Sequence, residues 1–213
     1  YTMKLLITWC VITACLCFMQ TTHAEWFDLE NRVGIADDTH SAFKIHILKS
    51  DTKSTLILFK LFGFEQNEIQ INNINHASIY IPGMNFTTKK GWPLVPKISK
   101  SILIPTYAKN IRTRVLNIAQ TQLELDRALI PSKGILMRND DPNKIPYVFS
   151  NFYKSKDIFP LKVFKLNKKK FKIRKAKGLT ITFYPIQYEA NTQKIKITKE
   201  LLLEILYDVS DDV

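Results

Sequence analysis

The sequence predicts an all-β protein: a single antiparallel β-sandwich domain that follows a cleaved leader. Short runs rich in Ile, Phe and Thr recur along the chain, and turn-forming residues separate them. The 9 prolines lie between these runs rather than inside them, as β-sheets require. Only the short segment from Thr121 to Ala128 has the character of a helix. Many short strands at modest spacing are typical of a β-sandwich.

The first 24 residues have the pattern of a secretory signal peptide. Met3 is the expected start, Lys4 supplies the positive charge, and an apolar run extends from Leu5 to Met19. We expect cleavage after Ala24 and a secreted or periplasmic product. All three cysteines lie inside this leader, so the mature chain would contain no thiol. Lipid attachment at Cys15 is the less favoured alternative.

The chain after the leader is predicted to contain an extended lead-in over residues 25–42 and a sandwich domain over 43–213. Strands are predicted at 43–48, 55–62, 69–71 and 77–81 in the first half, and at 102–104, 111–118, 135–137, 180–183, 195–197 and 201–207 in the second. No later segment has about 18 consecutive apolar residues, so no transmembrane segment is predicted in the mature chain.

The formal net charge is +12, which favours acidic partners. The densest basic run lies between Lys162 and Lys177. Its core, the basic patch, comprises Lys168, Lys169, Lys170, Lys172, Arg174 and Lys175. Alternation predicts a solvated face of Lys170, Lys172 and Arg174 over a core face of Phe171 and Ile173. Docking against an acidic protein face and binding of an acidic polysaccharide or other polyanion remain open. No nucleic acid is expected.

Catalytic and metal-binding patterns do not stand out after the leader. His40, His46 and His76 lack the spacing of a metal site, and adjacent acids such as Asp140-Asp141 are typical turn formers. Nucleophile-elbow and phosphate-loop motifs are absent. The sequence therefore predicts no catalytic residue, no metal and no cofactor in this chain.

Four ordered patches between Gly91 and Tyr207 resemble the prodomain of gingipain-type cysteine peptidases. They are Gly91-Trp92-Pro93-Leu94-Val95-Pro96 followed by Ser101 to Pro105, then Leu129-Ile130-Pro131-Ser132-Lys133-Gly134 followed by Arg138, Pro142 and Ile145 to Phe149, then Phe159-Pro160, and finally Lys177-Gly178 through Pro185-Ile186-Gln187-Tyr188. Lys177 departs from the arginine that is common in the family, which puts any role of that guanidinium in doubt.

The resemblance implies an antiparallel β-sandwich that lies across the active site of its own peptidase, keeps it latent and assists its folding and export. It also implies an inhibitory loop whose arginine enters the specificity pocket, and that arginine falls on Arg138. The predicted loop residues are Gly134, Met137, Arg138, Asn139 and Asp140. Asn139-Asp140-Asp141-Pro142 is a turn sequence that can project Arg138, and a guanidinium suits a buried acidic pocket.

The expected partner is a cognate gingipain-type peptidase that prefers arginine. The given sequence reaches Val213 without the family's catalytic domain, so this chain itself is not predicted to be an enzyme. A full-length precursor would be a cysteine-type endopeptidase. A fragment of such a precursor and a stand-alone inhibitor both fit. The alternative function is a secreted β-sandwich module that binds a polyanion.

Overall fold

The computed structural model describes residues 24–29, 41–174 and 176–208. The predicted signal peptide, His40, most of the predicted lead-in and Lys175 lie outside these residues. The all-β prediction is confirmed, because the named strands pair antiparallel and a single 3₁₀ turn, Asn151–Lys154, is the helical element of the described ranges. No helix in the described part of the chain is long and apolar enough to cross a membrane.

The strands are β1 (Glu25–Asp28), β2 (Phe43–Ser50), β3 (Ser54–Leu61), β4 (Gly63–Ile71), β5 (Ile74–Tyr80), β6 (Asn85–Phe86), β7 (Pro96–Ile104), β8 (Lys109–Glu124), β9 (Ile158–Phe159), β10 (Phe164–Ile173), β11 (Ala176–Phe183), β12 (Ile186–Glu189) and β13 (Lys194–Asp208).

These strands form three sheets. The largest has the order β2-β3-β13-β12-β9, with β8 paired along the other edge of β13. The second sheet has the order β10-β11-β7-β6, and the third has the order β1-β4-β5.

The six-stranded and four-stranded sheets pack against each other through alternating apolar side chains. In β11, Leu179, Ile181 and Phe183 are buried, whereas the residues between them are partly exposed. The ring of Phe183 stacks on Phe59 of β3 at 5.3 Å between centroids. Period-two alternation therefore places one face of each strand in a shared core, as the sequence predicts.

Two local predictions are wrong. The residues from Thr121 onward are not helical, because Thr121 to Glu124 complete β8 and pair with β13 from Ile197 to Lys194. Residues 135–137 are not a strand and belong to an exposed loop after Gly134, whose φ is +97°. The runs at 195–197 and 201–207 are parts of one long strand, because the pairing with β8 continues between them through register shifts.

The predicted alternation of the basic strand is also wrong at Phe171. The β10–β11 register shifts between Asn167 and Phe171, so that Phe171 pairs with Gly178. Gly178 lies two residues from the outward-facing Thr180, and a Cβ on Gly178 would overlap the Phe171 ring. Phe171 therefore lies on the outer face of the sheet. Lys170 is not a free cation of the predicted solvated face, because its Nζ donates to the Ala108 carbonyl oxygen at 2.6 Å.

Candidate inhibitory site

A long loop carries Arg138, and one glycine holds both of its ends. We call residues 133–149 the Arg138 loop. The Gly91 N–H donates to the Ser132 carbonyl oxygen just before the loop, and the Ser150 N–H just after it donates to the Gly91 carbonyl oxygen, each at 2.9 Å. Gly91 has a φ of +78°, a conformation that favours glycine. The loop thus begins and ends at the same point of the scaffold.

The segment leading into the loop, Leu129 to Ser132, is the stem of the loop. It is buried, and backbone hydrogen bonds tie it to the neighbouring segments. Leu129 and Ile130 are 0% and 2% exposed. The Ile130 N–H donates to the Ala77 carbonyl oxygen of β5, and the Ile130 carbonyl oxygen accepts from the Leu94 N–H, each at 2.9 Å. The Ser132 N–H donates to the Trp92 carbonyl oxygen at 2.7 Å. This stem cannot move without breaking backbone hydrogen bonds that are shielded from water.

Two tyrosine phenols complete the stem at Leu129. The Tyr153 hydroxyl donates to the Leu129 carbonyl oxygen at 2.9 Å, and the Leu129 N–H donates to the Tyr188 hydroxyl at 3.4 Å. Burial raises the pKa of both phenols, and the neighbouring Tyr188 raises the pKa of Tyr153 further. Both therefore remain neutral hydroxyls at physiological pH.

An aromatic cluster packs behind the stem. The Trp92 ring lies 5.0 Å from Phe152 and 5.0 Å from Phe159 between centroids, and the Lys89 Nζ sits 3.1 Å from the Trp92 ring centroid. The Gln187 side-chain amide donates to the Pro160 carbonyl oxygen at 2.7 Å. Segments from all four motif patches, far apart in sequence, therefore meet at the base of this loop.

The tip of the Arg138 loop is a turn from Met137 to Asp140. The Asp140 N–H donates to the Met137 carbonyl oxygen at 3.0 Å, and the Met137 N–H donates to the Asp140 carboxylate at 2.6 Å. Arg138 and Asn139 occupy the two central positions and are exposed. This short polar turn leaves the Arg138 side chain exposed to solvent.

The rest of the loop combines internal ties with exposed apolar side chains. The Lys133 Nζ donates to the Pro142 carbonyl oxygen at 2.6 Å and lies 4.1 Å from the Tyr147 ring centroid. Ile135 and Met137 are 73% and 70% exposed. Val148 and Phe149, at the other end of the loop, are also exposed. Several exposed apolar side chains on one loop are typical of a protein-binding surface.

The structure brings the predicted loop residues together and keeps the basic patch apart from them. Gly134, whose N–H donates to the Ser132 hydroxyl at 3.1 Å, opens the loop, and the other four residues form its tip. The described members of the basic patch lie in strand β10 or directly after it, whereas the loop residues belong to no strand.

Histidines and acids form no candidate metal site in the described residues, where no group of three or more potential ligands occurs. His46 is exposed on β2. His76 is buried, and its Nδ1 lies 2.9 Å from the Ile74 carbonyl oxygen.

Gly91 and Trp92 were recognisable from the sequence as motif residues, but their role as the anchor of the loop was not. Tyr153 was missed entirely. A Gly-Trp-Pro sequence indicates a fixed turn, whereas no local signal marks Tyr153, because its partner lies 24 residues away.

Comparison with known proteins identifies the family. The Propeptide_C25 family model matches residues 36–212. The chain belongs to this family. The matched region is a propeptide, which confirms the resemblance noted from the four patches and the prediction that this chain is not the catalytic domain.

Curated relatives agree with this assignment. The prodomain is 29% identical to Gingipain R1 of Porphyromonas gingivalis over 164 residues, which cover 76% of this chain and 16% of the relative. It is 24% identical to Gingipain R2 over 76% of this chain and 22% of the relative. Identity to Lys-gingipain is 25%, over 73% of this chain and 10% of the relative. The prodomain therefore spans only a small part of the relatives it matches.

Solved structures show the same fold. A complex of the RgpB pro- and mature domains of P. gingivalis matches with a TM-score of 0.71 and 21% identity, covering 77% of this chain and 84% of that chain. A structure described as giving insight into the zymogenic latency of gingipain K matches with a TM-score of 0.71 and 20% identity, covering 88% and 100%.

Proposed function

We propose that this chain is the prodomain of a secreted gingipain-type cysteine endopeptidase and that it keeps the peptidase latent by occluding its active site. In this proposal Arg138 enters the specificity pocket of an arginine-preferring peptidase, and the domain also assists folding of that peptidase. The observation that carries the proposal is the exposed Arg138 at the tip of a turn, on a loop whose ends are both fixed at Gly91.

The chemistry of this tip suits a substrate-binding cleft. A guanidinium presents a planar fork of N–H donors that a carboxylate at the base of a pocket can accept bidentately. The exposed side chains of Ile135 and Met137 on one side of Arg138 supply apolar area for the rim of a cleft. Removing that area from water contributes roughly 25 cal/mol per Å².

The rigidity of the loop favours tight binding. A flexible loop would lose conformational freedom when it docks, which weakens association. Here the turn is closed by two hydrogen bonds between Met137 and Asp140, and Lys133 is tied to Pro142. Much of the ordering cost is therefore met when the domain itself folds. The fold shared with a solved complex of the RgpB pro- and mature domains, and with a structure that addresses the zymogenic latency of gingipain K, supports this proposal.

The test is inhibition of an arginine-preferring gingipain-type peptidase by purified residues 25–213. Arg138→Ala should raise the inhibition constant by at least about a hundredfold, because a charge-paired anchor in a pocket is a typical hot spot. Lys144→Ala is the matched control, since it removes another exposed cation from the same loop. Inhibition by Arg138→Ala equal to that of Lys144→Ala would remove Arg138 from the mechanism.

A further inference from the structure

The positive charge of the four-stranded sheet is not balanced by acidic residues in its own strands. The four-stranded sheet contains two lysines in β7, five in β10 and one in β11, and its strand sequences contain no Asp or Glu. The six-stranded sheet instead pairs its charges, for example Lys60 with Glu200 at 3.1 Å and Arg114 with Glu204 at 2.6 Å. In the described part of the chain, no salt bridge involves a lysine of the four-stranded sheet.

The outer face of the four-stranded sheet carries two lysines, Lys97 and Lys165, toward one end, and the apolar side chains of Leu103 and Phe171 toward the other. Because Ile181 and Phe183 of β11 are buried in the core, Thr180 and Thr182 point outward, and their register partners in β7 and β10 share that face. We call the part of this face that carries the lysines the cationic face and define it by Lys97, Ser99, Ser101, Lys165, Thr180 and Thr182. Short hydroxyl side chains allow another surface to approach closely and lose little rotamer entropy when buried.

The cationic face is continuous with the Arg138 loop. An open groove of about 630 Å³ lies between them. Lys97 and Ser99 line it on the sheet side, and Gly134, Leu136 and Tyr147 line it on the loop side. A partner whose cleft receives Arg138 must therefore extend over this groove or pass close beside it.

We propose that the cationic face docks an acidic surface of the same peptidase that receives Arg138 and steers the two domains together. This inference rests on the proposed function and adds a second contact region to it. Complementary charge outside the central anchor mainly raises the association rate and makes it sensitive to salt. Lys97 and Lys165 are the long cations among the short side chains of this face, so they are the residues to test. A polyanion could use the same charges, but the shared groove favours the partner that already holds the loop.

The experiment measures the association rate constant of the prodomain with its peptidase at several salt concentrations. Lys97→Gln together with Lys165→Gln should lower this constant about three- to tenfold at low salt and flatten its salt dependence. The matched control is Lys44→Gln together with Lys196→Gln. It makes the same charge change on the six-stranded sheet. Both lysines lie on the outer face of that sheet, because the residues directly before and after each of them in the sequence pack into the core. The control should associate at the wild-type rate.

Different measurements test the proposed role of Arg138 and the proposed role of the cationic face, so either can fail without the other. Arg138→Ala tests the anchor through the dissociation rate and the inhibition constant, whereas the lysine pair tests the face through the association rate. Equal association rates for the two lysine pairs would overturn the inference even if Arg138 proves essential. Loss of retention on a sulfated polysaccharide column without any change in association rate would overturn it in favour of a polyanion. Urea unfolding of each variant checks folding, so that a lower association rate is compared between variants at equal folded fraction.

Discussion

Gly91 offers the sharpest test of how the scaffold fixes the Arg138 loop. Its φ is +78°, and an alanine Cβ there would lie 3.2 Å from the Val148 carbonyl oxygen and 3.4 Å from the Ser150 Cβ. An L residue in this left-handed conformation costs about 1–2 kcal/mol. The crowding adds to that cost and acts on the segment that returns from the loop. Gly91→Ala should therefore destabilise the domain and also displace the loop.

Gly83 provides the matched control. Its φ is +81°, and a Cβ there would meet only the Phe43 ring, at 3.4 Å. Gly83→Ala should consequently lose about 1–2 kcal/mol of unfolding free energy through the same backbone strain, with inhibition unchanged. Gly91→Ala should lose at least as much stability. It should also inhibit about tenfold less well or worse, since a displacement on the order of 1 Å at a reacting site can cost a hundredfold.

Two measurements on each glycine variant check this reasoning. Urea denaturation gives the free energy of unfolding, and peptidase titration gives the inhibition constant. If Gly91→Ala inhibits as well as Gly83→Ala at equal folded fraction, the hydrogen bonds at Gly91 do not position the loop, and the account of the anchor is wrong.

Two further predictions concern single carboxylates. Asp140→Ala removes the acceptor of the Met137 N–H and should weaken inhibition about two- to tenfold, the worth of one exposed hydrogen bond; an unfolding free energy lowered by more than about 1 kcal/mol would show a structural role instead. The hydrogen bond from Lys49 and those from two backbone N–H groups lower the pKa of Asp51 to about 2. Because this folded value lies below the ordinary 3.8, the stabilisation is complete above about pH 4 and is lost as the pH falls through 2. Urea unfolding between pH 2 and 5 should show a shallower acid dependence for Asp51→Asn, and identical profiles would contradict the assignment.

Much of the fold follows from patterns that the sequence displays locally. The alternation in β11 and β3 predicts which side chains face the core. It holds because β11 pairs with β7, and β3 with β13, without a register shift. The length of β13 was underestimated, because Thr198-Lys199-Glu200 interrupts the apolar pattern while the pairing with β8 continues around it.

The remaining errors have a common cause, because the conformation of these segments depends on contacts between residues that are far apart in the sequence. Phe171 faces outward because the register shifts at the lysine run, and a shift of this kind leaves no trace in residue periodicity. Residues 135–137 are apolar enough for a strand but lie in an exposed loop. The Arg138 tip was predictable from family resemblance and turn chemistry. Its anchor was not, because Gly91 bonds to Ser132 and Ser150, which follow it by 41 and 59 positions in the sequence.

The central claim is that the prodomain holds the peptidase through its specificity pocket. The most direct measurement is the affinity of residues 25–213 for the peptidase before and after that pocket is blocked by a covalent arginyl active-site inhibitor. The account predicts that blocking the pocket weakens prodomain binding by at least about a hundredfold, and that Arg138→Ala binds both forms of the peptidase equally. Undiminished binding of the wild-type prodomain to the blocked peptidase would show that Arg138 does not enter the pocket.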